Sequence, residues 1–595
     1  MKAKLIAIAL VCMLLAVSCW RNGGSDRSIE IHDIQGCAHI SPLEGQYVRD
    51  VDGIVTKKYS NGFVIESDQP DGLDCSSEAL YIHTNEYVEV LVGQRVAVRG
   101  TVAEFTPGTL EQNNLSQTEI THARVKVISS SSSWVEPVVL GKEGRVFPEK
   151  IVEGDAMRIF DPETDGLDFY ESLEFMLVEL PEMVVVGPRN DYNEIVVVEA
   201  GSDQRDSASP QAAVMSEEDR RPDRIMIALP DNWKTKVNVG DTLVSGMEGV
   251  LIYDYGNYKL DPISEVNIEE GQNESKMFYC ADSFSNELRV ANYNLRNFSQ
   301  YSSSSRIKSL AIQIANDICA PDLLVLEEVE DDSGEKDDAV INADVNLEML
   351  IAAIGSAGGP EYEYFDFPSE NNSSGGINGG NIRTVFLLRK DSKLKIAGSS
   401  GRLTKNGGVE VGYSGHITIK PNPMLIGWDD PSFENSRKPA VGLFSFGERQ
   451  VLVIGLHLIS KSANSPEYGR IQPPAEPELQ VRIAQAAYVN HWIAQVLSQS
   501  PDTLVIVAGD MNDEYASEVL KTLQREMLID TAADINPADR YSILMDGGAS
   551  LFDHILVSQN ISEFTAKISH LNTPLDESSQ VSDHDPIVAT IVINK

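Results

Sequence analysis

Thr503-Leu-Val-Ile-Val-Ala-Gly-Asp510-Met-Asn512 decides how the C-terminal half of this chain is read. Its short apolar run shows no polar alternation, as expected of a strand buried on both faces, and it stops abruptly at two polar residues. Asp510 and Asn512 are two apart, so in an extended segment both point to the same side. The same design recurs in Leu288-Arg-Val-Ala-Asn-Tyr293, Asp322-Leu-Leu-Val-Leu326, Thr384-Val-Phe-Leu-Leu388, Val451-Leu-Val-Ile-Gly-Leu456, Phe552-Asp-His-Ile-Leu-Val557 and Ile587-Val-Ala-Thr-Ile-Val-Ile593. Between these runs, Ile307, Leu310, Ala311, Ile314 and Ile318 line one helical face, and Val481, Tyr488, Trp492 and Leu497 line another. Doubly buried strands alternating with amphipathic helices predict a layered α/β domain over 286–595.

The polar residues at the strand ends carry the chemistry. Asn294 follows the first strand, Glu327-Glu328 the second, His457 the fourth and Asp510-Met-Asn512 the fifth. Asp553-His554 lies inside an apolar run, and Ser582-Asp583-His584-Asp585-Pro586 precedes the last strand. Any one of these reads as a cap or turn. Together, in one α/β domain, they fall where ligands bind, beyond the strand ends. Carboxylates and amides are hard oxygen ligands suited to Mg²⁺ or Ca²⁺. Histidines beside acids move protons near neutral pH. A cation with acid–base histidines points to phosphoester hydrolysis.

Toward the N-terminus the pattern becomes all-β. Over 30–130, Gln46–Asp52, Gly53–Thr56, Asn61–Glu66 and Val88–Val102 read as short strands with Asn-Gly turns, hence a barrel or sandwich. Tyr47, Tyr59 and Phe63 could stack on bases, although aromatics in a small barrel more often fill its core. The serines 129–133 read as a linker. Residues 134–275 form a β-rich middle domain, with the polar stretch 201–224 as a loop.

The 595 residues carry 90 acidic against 48 basic side chains, a formal charge of −42. Such a surface repels polyanions, so any nucleic-acid contact must rest on a local basic patch or on bound cations. Lys2 and Lys4 precede the apolar run from Leu5 to Val17, followed by Ser18-Cys19. This resembles a bacterial lipoprotein signal over 1–19, with lipid on Cys19 and a tether over 20–29. A plain cleaved signal is the alternative. The expected location is therefore the cell surface or outer membrane, or else secreted or periplasmic. Cys37, Cys75, Cys280 and Cys319 remain, an even number that permits two disulfides in any of three connectivities.

Seven pieces in order resemble the endonuclease/exonuclease/phosphatase superfamily: Val290–Phe298, Leu326-Glu-Glu-Val-Glu330, Ser436-Arg-Lys-Pro-Ala-Val441, His457 with Ser460-Lys461, Gly509-Asp-Met-Asn512, Phe552-Asp-His-Ile555 and Ser582-Asp-His-Asp-Pro586. With Ile31–Gly45 in front, the chain is similar to bacterial extracellular nucleases that carry an OB-fold-like domain. The resemblance implies a two-sheet α/β sandwich with its site at one rim. It implies Glu328 as the main metal ligand, with Asn294 beside it and Asp583 completing the acidic cluster. Asp510 and Asn512 would orient nucleophile and phosphate. His584, held by Asp553, would be the general base. His457 would touch the phosphate or assist the leaving oxygen, and Arg437 and Lys461 would contact phosphate. The implied cofactor is Mg²⁺, with Ca²⁺ or Mn²⁺ as alternatives, and the implied substrate is DNA, with RNA second. A phosphodiesterase or phosphatase acting on lipid headgroups or small phosphates is the first rival, and an inactive surface binding protein the second. The chain departs from the family where Glu327 replaces a Gln, where no acid near Asn381-Ile382-Arg383 is evident to pair His457, and where His457-Leu-Ile-Ser-Lys461 replaces His-Phe-Lys-Ser-Lys.

Overall fold

The computed structural model describes residues 29–85, 88–129, 133–201, 212–271, 280, 286–368, 370–398, 408–411 and 416–594. The expected signal and nearly all of the tether lie outside these residues, as does most of the serine linker. No helix among the described residues is long and apolar enough to cross a membrane. The chain divides into two compact units, one formed by the residues up to 105 with 116–136 and 172–176, the other by the remainder.

The first unit is built on a closed barrel of β1 (Tyr47–Tyr59), β2 (Gly62–Glu66), β3 (Ala79–His83), β4 (Arg95–Phe105) and β5 (Gln117–Ser129), in the order β1-β2-β3-β5-β4. Only the β3–β5 pair is parallel. Alternation in β4 turns Val96, Val98 and Val102 inward, where they meet Val55, Phe63, Ile65, Leu80, Ile82 and Ile120. Each such buried side chain contributes roughly 1.5–3 kcal/mol. Phe63 is therefore core, whereas Tyr47 is 53% exposed with Arg49 against its ring. Two expectations change here. Tyr47–Thr56 is part of one long, bulged strand with Gln46 just outside it, and 88–94 lies outside the strands. A short helix, Ile31–Gln35, sends Ile31 and Ile34 into the barrel core; five residues are too few for a helical period to show. Cys37 bonds Cys75.

In the second unit the middle region forms a nine-stranded sheet, including Met183–Gly187, Glu194–Glu199, Ile225–Ala228, Met247–Asp254 and Asn257–Pro262. Its C-terminal part is two sheets face to face. One holds, in spatial order, Tyr362–Phe365, Arg383–Arg389, Leu323–Val329, Glu287–Phe298, Ile587–Val592 and Phe564–Ile568. The other holds Leu394–Ile396, Ala440–Phe446, Arg449–His457, Leu504–Asp510, Asp553–Ser558 and Leu528–Asp530, with Met424–Leu425 added beside Ala440–Phe446. Val290, Val325 and Phe386 meet Phe444, Val453, Ile506 and Ile555 between the sheets. The helices Ser304–Ile312 and Asp344–Ser356 cover one outer face, and Leu479–Gln499 with Glu518–Gln524 the other. Burial on both sides is why these strands lack polar alternation. Cys280 bonds Cys319.

This architecture brings the polar strand ends to one rim. Glu287–Phe298 runs parallel to Leu323–Val329, placing Asn294 opposite Glu327. Arg449–His457 runs parallel to Leu504–Asp510, placing His457 opposite Asp510, which in turn faces Asp553 on the antiparallel neighbour. Gly509 permits this close approach, because a Cβ there would lie 2.0 Å from the Leu456 carbonyl oxygen.

Candidate active site

Asp510 is the hub. Its Oδ2 accepts from Asn294 Nδ2 at 3.1 Å and lies 3.6 Å from His457 Nε2 and 3.9 Å from His584 Nε2. Its Oδ1 accepts the Asn512 amide at 2.8 Å. Asn294 Nδ2 also reaches Glu328 Oε1 at 3.2 Å, so one amide group ties two carboxylates together. Glu328 Oε2 takes the Asn297 amide at 3.0 Å, and Asn294 Oδ1 takes that of Arg296 at 2.9 Å. Arg296, Asn297, Glu328 and Asn512 all have φ between 48° and 54°. Non-glycine residues seldom adopt this left-handed conformation, and such strain gathers at functional sites.

His584 and Asp553 form a dyad, with Nδ1 2.6 Å from Oδ2. Asn292 donates to the other Asp553 oxygen at 3.0 Å. Ser582 Oγ accepts the His584 amide, and Asn572 donates to the His584 carbonyl. The dyad leaves Nε2 directed at Asp510. Burial opposes a charge on His584, yet Asp553, Asp510 and Asp583 together raise its pKa well above 6.5. His457 behaves in the opposite way: burial, reinforced by Arg437 and His584, holds it well below 6.5, so it is neutral at physiological pH. Asp510 is pushed up to about 7, chiefly by burial, with His584 opposing and Asp553 and Glu328 adding to the rise. A buried carboxylate so reluctant to ionise beside other carboxylates suits a site completed by a cation.

Of the expected residues, the structure joins Asn294, Glu328, His457, Asp510, Asn512, Asp553 and His584 in this one group. Asp583 stands at its edge, half-exposed and 3.7 Å from Arg296. Arg437 is buried and donates to the Leu458 carbonyl, the same oxygen that takes Asn512 Nδ2; its pKa is lowered by burial while Glu328 and Asp510 oppose the fall. Lys461 is turned elsewhere, paired with Asp513 at 3.2 Å and Glu476 at 3.8 Å. Glu327 is fully buried, and burial with Asp553 and Asp510 drives its carboxyl well above the usual range. Neither of its oxygens has a hydrogen-bond partner among the described residues. His554 also faces away, with Nδ1 2.7 Å from Asp530.

Sequence reasoning missed Asn292 and Asn572. Asn292 was within reach, being two residues before Asn294 in one strand and so on the same face. Asn572 lies in a loop where only the tertiary structure shows its contact with His584.

Glu328 and Asp583 offer carboxylate oxygens to a divalent cation, whereas Asn294, expected as a ligand, turns its Nδ2 and not an oxygen toward Glu328 and Asp510. They are not gathered into a closed cage. Among the described residues the tight trios of possible ligand atoms are His32, Asp71, Glu78 and Glu153, Asp165, Asp168. An open site fits an ion that takes few protein ligands and fills the rest with water and phosphate.

Residues 291–584 match the family described as Endonuclease/Exonuclease/phosphatase family, and this part of the chain is a domain of that family. Residues 139–270 match a family described as a domain of unknown function, DUF8508. Among solved structures, a truncated TDP2 from Caenorhabditis elegans is similar at 17% identity, covering 51% of this chain and 98% of its own, with a TM-score of 0.33. An endonuclease/exonuclease/phosphatase from Bacteroides vulgatus is similar at 13% identity, covering 52% and 99%, with a TM-score of 0.32. A Danio rerio TDP2 complexed with single-strand DNA product is similar at 16% identity, covering 52% and 99%, with a TM-score of 0.33. No curated protein matches the chain.

Proposed function

We propose that the chain is a metal-dependent phosphodiesterase that cleaves DNA, and RNA by the same chemistry. The observation that carries this reading is the convergence of His457 and His584 on Asp510 Oδ2, with Asn294 linking Asp510 to Glu328. Glu328 and Asp583 would hold the cation, Mg²⁺ in the first instance, with Asn294 fixing the Glu328 carboxylate. When bound, it neutralises charge developing on the phosphate. Asp553 fixes the orientation of His584, which in its neutral form would take a proton from the attacking water at Nε2. Asp510 and Asn512 orient that water and the phosphate. Neutral His457 donates to a phosphate oxygen or to the leaving oxygen, and Arg437 adds positive charge from below. We read the N-terminal barrel as OB-like, from its five strands and their order, and the Lys2–Cys19 stretch as export with lipid on Cys19.

Comparing hydrolysis of linear DNA, RNA, sphingomyelin and inositol phosphates by the purified protein tests the substrate. Turnover of the polynucleotides at the highest kcat/KM is expected. Preference for a lipid headgroup or a small phosphate would overturn the nuclease reading and keep the hydrolase chemistry.

A further inference from the structure

The middle region grips the catalytic loops from three directions. The first grip is on the segment 571–580, which leads into His584. Arg189 clasps Asp576 with Nε at 2.8 Å and Nη2 at 3.0 Å, and the Asp576 side chain is wholly buried. Val237 N donates to the same carboxylate, Asn238 Oδ1 takes the Asp576 amide, and Val239 N donates to the Pro574 carbonyl. Glu577 N donates to the Arg189 carbonyl, Asp191 N to Glu577 Oε2, and Lys236 Nζ to Ser579 Oγ. The second grip is Arg220, paired with Glu467 at 2.9 Å and with Glu514 at 3.0 Å, two residues beyond Asn512. The third is strand pairing: Ala213–Val214 lies parallel to Gly548–Ser550, just ahead of Asp553.

From the first grip, two short paths run to the chemistry. Asn572 Nδ2 donates to the His584 carbonyl at 2.7 Å, and Asp585 Oδ1 accepts the amides of Leu571 and Asn572. Glu577 Oε1 accepts from Arg296 Nη2 at 3.1 Å, and Arg296 Nε lies 3.7 Å from Asp583. Arg189 through Asp576, and Glu577 through Arg296, thus act on one loop at two consecutive residues.

We propose that the middle domain is a positioning part of the catalytic centre, in which Arg189 and Glu577 hold the 571–580 segment so that His584 and Asp583 face Asp510. This rests on the hydrolase reading above. Ion pairs of this extent could serve stability alone, so the test must separate placement from folding. Misplacing a catalytic group by an ångström costs up to about 10²-fold in rate, which sets the scale.

The experiment measures kcat and KM on a defined DNA duplex with Mg²⁺ for the full chain and for Arg189→Ala, Arg189→Lys, Glu577→Gln and the Arg189→Ala/Glu577→Gln pair. Arg189→Ala is expected to lower kcat by about 10- to 10²-fold with KM within about twofold, since placement is needed for the transition state more than for binding. Arg189→Lys, which keeps the charge and one hydrogen bond, should recover part of the loss. The paired variant should be no slower than the worse single one, because both substitutions loosen the same loop. Glu577 is a partly exposed side chain, so Glu577→Gln remains decisive if Arg189→Ala does not fold. Parent-like kcat in the folded variants, a loss confined to KM, or losses that multiply would each overturn the proposal. A parent protein that turns over no phosphodiester would instead overturn the functional reading.

Discussion

Changing His584 to alanine is expected to lower cleavage of DNA by about 10²–10⁴-fold, the usual weight of a positioned proton transfer. The geometry gives this residue no substitute. Its Nε2 is one of two imidazole nitrogens facing Asp510, and the other, on His457, is held neutral and well below 6.5 by burial and Arg437. His457 therefore binds a proton too weakly to serve as the base. His584 owes its greater basicity to Asp553, Asp510 and Asp583. His584 itself belongs to none of the core clusters, so the sheets should survive, although among the described residues Asp553 keeps only Asn292 as its side-chain donor. Initial rates and circular dichroism on the same preparation check both halves of this expectation. A folded His584→Ala protein that digests plasmid at the parent rate would remove the base from the account.

Converting Glu328 to glutamine should raise the Mg²⁺ concentration for half-maximal rate by at least about 10–100-fold, the loss usual even for groups one shell further from a metal. The substitution is nearly isosteric, but it fails in two ways. The carboxylate charge is lost, and the new amide must turn its NH₂ toward one of two donors, Asn294 Nδ2 or the Asn297 amide. Two facing donors cannot bond, so the 294–297 turn loosens together with the ion site. A Mg²⁺ titration of initial rate compares parent and variant, and an unchanged midpoint would exclude Glu328 as the principal ligand.

The strands of the catalytic domain were legible because burial on both faces leaves an apolar run that breaks at the rim, as in Leu504–Asp510. Ala440–Phe446 is of the same kind, but Gly442 and Ser445 interrupt it, so its sequence does not mark it as a strand. The helix Asp344–Ser356 is apolar on much of its circumference and gives little one-sided signal. In the site, types and order could be read, and the family resemblance singles out Glu328, but the residues alone do not separate it from its neighbour Glu327. Glu327 continues the inward pleat of its strand and is buried, whereas Glu328, at φ 54°, turns into the cleft. Only a backbone departure from strand geometry separates them, and no spacing rule encodes it. Likewise Lys461 stands in the expected motif, yet Asp513 and Glu476 claim its ammonium.

The most direct measurement is the nicking of supercoiled plasmid by the purified chain with Mg²⁺, then with excess EDTA, then with Mg²⁺ restored. The account predicts conversion to the open circle in the first and third conditions and none in the second. Nicking that continues unabated in the chelator would contradict a cation held by Glu328, and with it the hydrolytic mechanism built around His584.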